Sequence, residues 1–320
     1  MDVVVIGSVM VDVVIHSSRL RNIRSKRKQF LGFPFGTKTE LEGLKFNVGG
    51  SGHNVAVGLS KLGSKVGFIG KVGSDPNSML ISNNFKAEGV DIGFLKKSEN
   101  VMSGFSQVFI TPDGERSILT FRGANDSLGS DDISEKYIKN AKWFIFTTVI
   151  SDKSLDAVRM VIRIIKENGG KVLANPSINM IKYRKKELLG LMGKCDISIM
   201  NKEEICELMN TKNEQKALKR ILGFGVQSAI ITLGKKGLIA SDGNKLYKMK
   251  PFKSEIKDTT GAGDSFTASF LHWFMKGKSF EDALKFGNAA AALNIESIGA
   301  TKDLPSEKDI INLIERWSNV

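Results

Sequence analysis

The sequence predicts an α/β fold: a mostly parallel central sheet with helices on both faces, plus a small separate β-sheet. Three observations lead there. Short apolar runs alternate with stretches of helical period along most of the chain. Two regions, 13–48 and 98–122, break that rhythm. Finally, 41% of the 320 residues are hydrophobic, enough for a substantial core.

The elements follow in order. "VVVIG" (3–7) is a short buried-strand run ending in Gly. "HNVAVGLSKLG" (53–63) carries Val55, Leu59 and Leu62 at helical spacing, and Gly63 is its stop. "KVGFIGKVG" (65–73) is strand-like; "NSMLISNNFKAEG" (77–89) is helical, closed by Gly89. "KWFIFTTVI" (142–150) reads as a strand before helical "SLDAVRMVIRIIKENGG" (154–170). Strands "KVLA" (171–174) and "CDISIM" (195–200), helix "KEEICELM" (202–209) and strand "SAIITLG" (228–234) come next, and two or three helices close the chain. "SGFSQVFITPDGERSILTF" (103–121) alternates like a hairpin around an Asp-Gly turn. The expected division is a main α/β domain of 1–12, 49–97 and 123–320, with 13–48 and 98–122 as an inserted β lid, or else a plain edge hairpin.

Composition excludes several classes. A net charge of +13 allows an anionic partner, and "RLRNIRSKRK" (19–28) supplies part of the excess. That run has no interleaved aromatics, so it reads as a solvated loop rather than a nucleic-acid platform. Cys195 and Cys206 form neither a metal spacing nor a disulfide framework, and His16, His53 and His272 are scattered. The start carries Asp2 and Asp12 without a basic n-region, unlike a signal peptide, and no segment reaches membrane-span length. A cytoplasmic protein is expected.

Three constellations can carry chemistry. In "VGGSGHN" (48–54), Gly49, Gly50 and Gly52 let backbone approach a ligand, and Asn54 offers the donor and acceptor that a polyol hydroxyl needs. The same residues also suit a tight strand-to-helix turn. Asp12 follows the first strand, near where open parallel sheets bind ligands, although a lone surface Asp is the commoner case. In "DTTGAGDSF" (258–266), Gly261, Ala262 and Gly263 can turn backbone N–H groups toward one point at a helix start. That arrangement suits a phosphoryl group with moving charge. Asp264 stabilises a helix start by ~0.3–1 kcal/mol. A cap does not need the extra glycines, however. An acid beside an anion-binding turn makes sense if it takes a proton from an attacking hydroxyl. "GKS" (277–279) lacks the earlier Gly of a P-loop, and "GFGVQS" (223–228) fails GxGxxG at its last place.

Gly49-Gly50-x-x-x-Asn54 and Asp258-Thr-Thr-Gly-Ala-Gly-Asp264, in this order, resemble the two signatures of the ribokinase-like (PfkB-type) carbohydrate kinases. "IGSVMVD" (6–12), "PDGERSI" (112–118), "GAN" (123–125), "NKEE" (201–204) and "TLGKKG" (232–237) extend the resemblance along most of the chain. It implies a three-layer α/β/α domain with a β-sheet lid, and ATP- and Mg²⁺-dependent phosphorylation of a sugar hydroxymethyl group. By position, Asp264 would be the base and Gly261, Ala262 and Gly263 the anion hole. Asp12, Gly49, Gly50 and Asn54 would hold the sugar, and Thr232, Gly234, Gly237 and Asn288 the nucleotide. Asn201 and Glu204 would act on Mg²⁺ through water. Asp258 and Thr260 match part of the family's monovalent-cation site, which takes K⁺. Members often pair through the lid, which implies a homodimer.

Asn175 stands where many relatives carry Asp before Pro, Ser269 replaces a usual Ala or Gly, and 30–44 lengthens the first lid insertion. These departures leave the acceptor open: ribose, fructose or a ketodeoxy sugar acid. A nucleoside kinase would need an aromatic slot, which Phe33, Phe35, Phe105 and Phe109 could form if they do not merely pack the lid. A non-catalytic nucleotide sensor is the third reading, and Asp264 with an intact anion-hole motif speaks against it.

Overall fold

The computed structural model describes residues 1–25, 28–113, 115–297, 299–301 and 304–318. The basic run at 19–28 and the Asp-Gly turn at 113–114 thus fall partly outside the described residues. The chain opens with β1 (Val3–Ile6), β2 (Met10–His16), the pair β3 (Arg21–Ser25) and β4 (Lys28–Gly32), and β5 (Gly43–Gly49). Next come α1 (Ser51–Lys61), β6 (Val66–Gly73), α2 (Pro76–Ala87) and β7 (Asp91–Ser98), then the hairpin β8 (Phe105–Ile110) and β9 (Arg116–Phe121). After α3 (Glu135–Ile138) the alternation resumes with β10 (Trp143–Phe146), α4 (Asp152–Glu167), β11 (Lys171–Ala174), α5 (Ile178–Met192) and β12 (Ile197–Asn201). The rest is α6 (Lys202–Leu208), α7 (Glu214–Gly223), β13 (Ser228–Thr232), β14 (Leu238–Ser241), β15 (Leu246–Met249), α8 (Ala262–Met275), α9 (Phe280–Asn294) and α10 (Glu307–Ser318).

Among the described residues, nine strands form one sheet in the order β15-β14-β13-β12-β11-β10-β1-β6-β7. All neighbours are parallel except at the β13-β14-β15 end. Its strands are apolar on both faces because both are covered. Val4 and Ile6 point into a core shared with α4, α5, α6 and α7, while Val3 and Val5 point into one shared with α1, α2, α8 and α9. From β1 the chain steps outward to β6 and β7, then restarts at β10 on the other side. The order therefore reverses between β1 and β10, where open sheets of this kind bind ligands at the carboxyl ends of their strands.

A second sheet, β5-β2-β8-β9, and the separate β3-β4 pair come from the two regions that broke the helical rhythm. Asp12 lies within β2, on this smaller sheet, rather than at the end of β1. Gly7 to Val9 link the two sheets. The buried Asn125 side chain grips that link from both sides: its Oδ1 accepts the Val9 N–H at 2.8 Å and its Nδ2 donates to the Val9 carbonyl at 2.8 Å. Among the described residues no helix is long and apolar enough to cross a membrane.

The structure adds elements that the sequence reading missed, namely α5, α7 and the β14-β15 hairpin, and it ends the 142–150 strand at Phe146. The two buried histidines have structural partners. His272 bonds Ser64 Oγ at 2.8 Å and Glu307 Oε1 at 2.6 Å, tying α10 to α8.

Candidate active site

The site is assembled by two helices that run side by side. A Cβ on Gly58 of α1 would lie 2.8 Å from the Ala268 Cβ of α8, so two small residues set a close crossing. One turn earlier on each helix stand Asn54 and Asp264, and the same closeness lets them meet. Asn54 Nδ2 donates to Asp264 Oδ2 at 2.8 Å. Asp264 is half-buried at the foot of the cleft, and burial pushes its carboxyl up to about 7 against the pull of the Asn54 amide.

Gly261 caps α8 with φ of 79°, a left-handed turn that L side chains rarely adopt, and a Cβ there would also strike Ala300. No side chain caps this end. The Ala262 N–H reaches back to the Thr259 carbonyl at 3.4 Å, a long bond. Among the described residues the N–H groups of Gly263 and Asp264 have no protein acceptor, and the space beside Gly263 is open. Two uncommitted donors at a helix start form an anion-binding end. At α1 the situation differs. Gly50 has φ of 100°, and the Gly52 and His53 N–H groups bond the Ser8 carbonyl at 3.1 and 3.2 Å. These glycines serve mainly to bring α1 onto the end of β1.

The smaller sheet reaches the start of α8. Its register sets Asn47, Asp12, Ser106 and Thr120 directly opposite one another on four adjacent strands, hence on one face. Ser106 Oγ donates to Asp12 Oδ1, and burial raises the Asp12 carboxyl although this bond opposes it. A Cβ on Gly49 would fall 2.2 Å from Asp12 Oδ2, so that position must be Gly for Asp12 to keep its place. The same face carries Arg116, whose Nη1 donates to Thr260 Oγ1 at 2.6 Å and Asp258 Oδ1 at 3.2 Å. That contact proves which way the face looks: toward the start of α8. On the opposite face, Phe105 and Phe109 pack into the core with Val11, Val13 and Ile15, while Phe33 is 59% and Phe35 fully exposed. The four phenylalanines do not form a slot on the cleft side.

The carboxyl ends of β12 and β13 bring Asn201 and Thr232 together as direct register partners. Asn201 Oδ1 accepts the Glu204 N–H at 2.9 Å, and Glu204 Oε2 accepts the Asn201 N–H at 2.8 Å, a reciprocal cap of α6. Burial pushes Glu204 up to about 7, and the Asp264 charge adds to the rise. Gly234 (φ 55°) and Gly237 (φ 85°) shape the turn after Thr232, and a Cβ on Gly237 would meet the Met249 carbonyl. Asn288, nearly buried on α9, donates to the Lys250 carbonyl at 2.7 Å. Asp258 is buried enough to raise its carboxyl, yet Thr260, the Gly299 N–H and Arg116 together hold it below the usual range. "GKS" proves to be a helix cap, with Ser279 accepting the Asp282 N–H.

The profile of the pfkB family carbohydrate kinase covers residues 1–307. The chain belongs to the pfkB family of carbohydrate kinases. It is thus a phosphotransferase with an alcohol group as acceptor, on a ribokinase-like fold. It is 34% identical over 293 residues to a 5-dehydro-2-deoxygluconokinase of Clostridium perfringens, covering 86% of each chain. It is 32% identical over 296 residues to the ribokinase of Haemophilus influenzae, covering 89% of this chain and 94% of that one. A structure of an E. coli chain described as a ribokinase II, solved with ATP and Mg²⁺, superposes with a TM-score of 0.84 at 23% identity, covering 98% and 99% of the two chains. This pfkB kinase also holds residues that the sequence reading passed over. Ser106 and Arg116 lay inside recognised segments, but only strand register reveals what they face. Ser8, Ser51, Thr147 and Thr148 form a hydroxyl cluster at the β1/β10 switch point, with Ser51 Oγ 2.9 Å from Thr147 Oγ1.

Proposed function

We propose that this kinase transfers the γ-phosphoryl group of ATP to the hydroxymethyl group of a free sugar or keto-sugar acid. The observation that carries the reading is the polar row Asn47–Asp12–Ser106–Thr120, on the face from which Arg116 reaches the residues just before α8, the helix that carries Asp264. Such a row offers donors and acceptors to a chain of hydroxyls, and no aromatic plate for a nucleobase. Asp12 and Asn54 grip the sugar, and Asp264 orients and deprotonates its hydroxyl. The turn Gly261, Ala262 and Gly263 receives the moving charge, chiefly through the uncommitted N–H groups of Gly263 and Asp264. Thr232, Gly234, Gly237 and Asn288 border the nucleotide. The smaller sheet acts as the lid over 13–48 and 98–122, extended by the first residues of β2.

Glu204 fits a divalent ion held through water: it is a half-buried carboxylate, raised by burial and by Asp264, at the strand end that Asn201 shares with Thr232. Among the described residues no three acidic, His or Cys side chains gather as a metal cage, as expected when phosphate and water supply most ligands. Mg²⁺ there would neutralise phosphate charge. A bare K⁺ at Asp258 and Thr260 fits poorly, because Arg116 already supplies their cation, so no step is assigned to it.

Leu44, Phe46, Leu119 and Phe121 are exposed on the outer face of the lid, and we propose that a second copy covers them, giving a homodimer. Cytoplasmic location follows from the substrates proposed. The deciding experiment measures ADP release with Mg²⁺-ATP against a panel of free sugars, ketodeoxy sugar acids and nucleosides. Turnover of a sugar or sugar acid is expected. Turnover of nucleosides alone would overturn the reading, and ATP binding without any acceptor would favour the sensor.

A further inference from the structure

Behind Asn54 the hydrogen bonds continue away from the cleft. His53, fully buried between α1 and α2, sets Nδ1 3.2 Å from Asn54 Oδ1. Its Nε2 lies 2.6 Å from Oδ1 of the Asn84 side-chain amide on α2. Four side chains therefore form one line: Asn84, His53, Asn54, Asp264. The mechanism above uses only the last two.

We propose that His53 and Asn84 are positioning residues that hold the Asn54 amide with its NH₂ toward Asp264. The reasoning is a matter of donors. A proton acceptor at Asp264 must be a carboxylate, which only accepts hydrogen bonds, so Asn54 must present its NH₂ there. Asn54 Oδ1 then faces His53 Nδ1 and needs a donor, which requires the Nδ1–H tautomer. Burial disfavours charge on His53, so the ring is neutral and Nε2 must accept. The Asn84 amide must therefore be turned over, with NH₂ instead of Oδ1 toward Nε2, an orientation identical in shape to the one with Oδ1 inward. One requirement at the reacting end fixes every donor up to α2. With the chain broken, Asn54 is free to rotate by half a turn and offer its oxygen to Asp264, which opposes ionisation of the base. The groups facing this line among the described residues are Glu88 near His53, the Phe85 ring tilted against His53 at 4.9 Å, and Glu204, whose charge couples to that of Asp264.

The inference rests on the kinase reading but is tested partly without it. Nitrogen NMR of ¹⁵N-histidine-labelled protein at neutral pH reads the His53 tautomer with no substrate present. A protonated Nδ1 and bare Nε2 are expected; a protonated Nε2 would overturn the proposal whether or not the kinase reading stands. Kinetics then compare His53→Phe, Asn54→Ala and the double variant with the acceptor found in the panel. His53→Phe should lower kcat roughly ten- to a hundredfold, the scale of a hydrogen bond to a charged group, with little change in KM for ATP. In the Asn54→Ala background the same change should have almost no further effect, because the amide it orients is gone. Equal losses in both backgrounds would mean that His53 only packs. Asn84→Ala, on the half-exposed side of α2, gives a milder version if the ring replacement fails to fold. It should lower kcat in the wild-type background and be silent beside Asn54→Ala.

Discussion

Replacing Asp264 by Asn should abolish phosphoryl transfer and, at neutral pH and above, stabilise the protein. An aspartate carboxyl that ordinarily titrates near 3.8 is pushed up to about 7 here. At ~1.4 kcal/mol for each tenfold change in acidity, the folded state carries up to about 4 kcal/mol of cost when this group is ionised. Asp264 is only half-buried, so water recovers part of that, and about 2–4 kcal/mol is the working range. The sign follows from proton counts. Above pH 3.8 the unfolded chain has lost the proton while the folded chain keeps it up to about 7. Stability therefore falls as pH rises between those values and then levels. The Asn variant lacks this slope and keeps the 2.8 Å bond from Asn54. Urea unfolding of both proteins at pH 4, 6 and 8 should show curves that coincide at pH 4 and separate by pH 8 in favour of the variant. A constant difference across this range would refute the raised carboxyl, and near-normal turnover in the variant would refute the base.

The remaining predictions probe the cleft walls. Gly58→Val places a Cβ 2.8 Å from Ala268 and should part Asn54 from Asp264; kcat should fall by more than tenfold, with a stability loss of about 1–3 kcal/mol by denaturant titration. Gly49→Ala pushes on Asp12 Oδ2 and should reproduce the raised sugar KM of Asp12→Ala while the ATP KM stays level. Lys45 lies one row outward on the face of Asp12, opposite Val14, so Lys45→Ala should weaken a sugar-acid acceptor at least tenfold and leave a neutral sugar within about twofold. Equal effects on both acceptors would exclude Lys45 as a carboxylate contact.

Much of this was legible in the sequence because the chemistry was local. The αL cap at Gly261, the carboxylate of Asp264 and the Asn54 amide lie in two short motifs, and the strand–helix alternation gave the main sheet. What stayed hidden depends on which strands become neighbours. Asn47, Ser106 and Thr120 are unremarkable in one dimension; they form a row with Asp12 only after β2 pairs with β5 and β8. The same pairing turns Phe105 and Phe109 away from the cleft. Of the missed helices, α5 is broken by non-helical geometry at Arg184, which spoils its period, and α7 shows a short stripe of Ala217, Leu218 and Ile221. The small residues Gly58 and Ala268 carry no chemistry, yet they decide that Asn54 and Asp264 touch.

The grip of Asn125 on Val9 bears on how a sugar gets in. A side-chain amide that bonds both polar groups of one residue copies a neighbouring strand, and it does so where the two sheets join. The link is riveted, so the smaller sheet, if it serves as the proposed lid, has little freedom to pivot there. The proposed gating would fall instead to the far end of β8 and β9, where the exposed Arg116 pairs with Asp258. The doorway should thus widen from Arg116 inward and stay narrow at Asp12, so that the sugar arrives from the rim and travels down the polar row. Amide exchange should report this as slow exchange at Val9 and Val11 and faster exchange along β9, slowed when the acceptor binds.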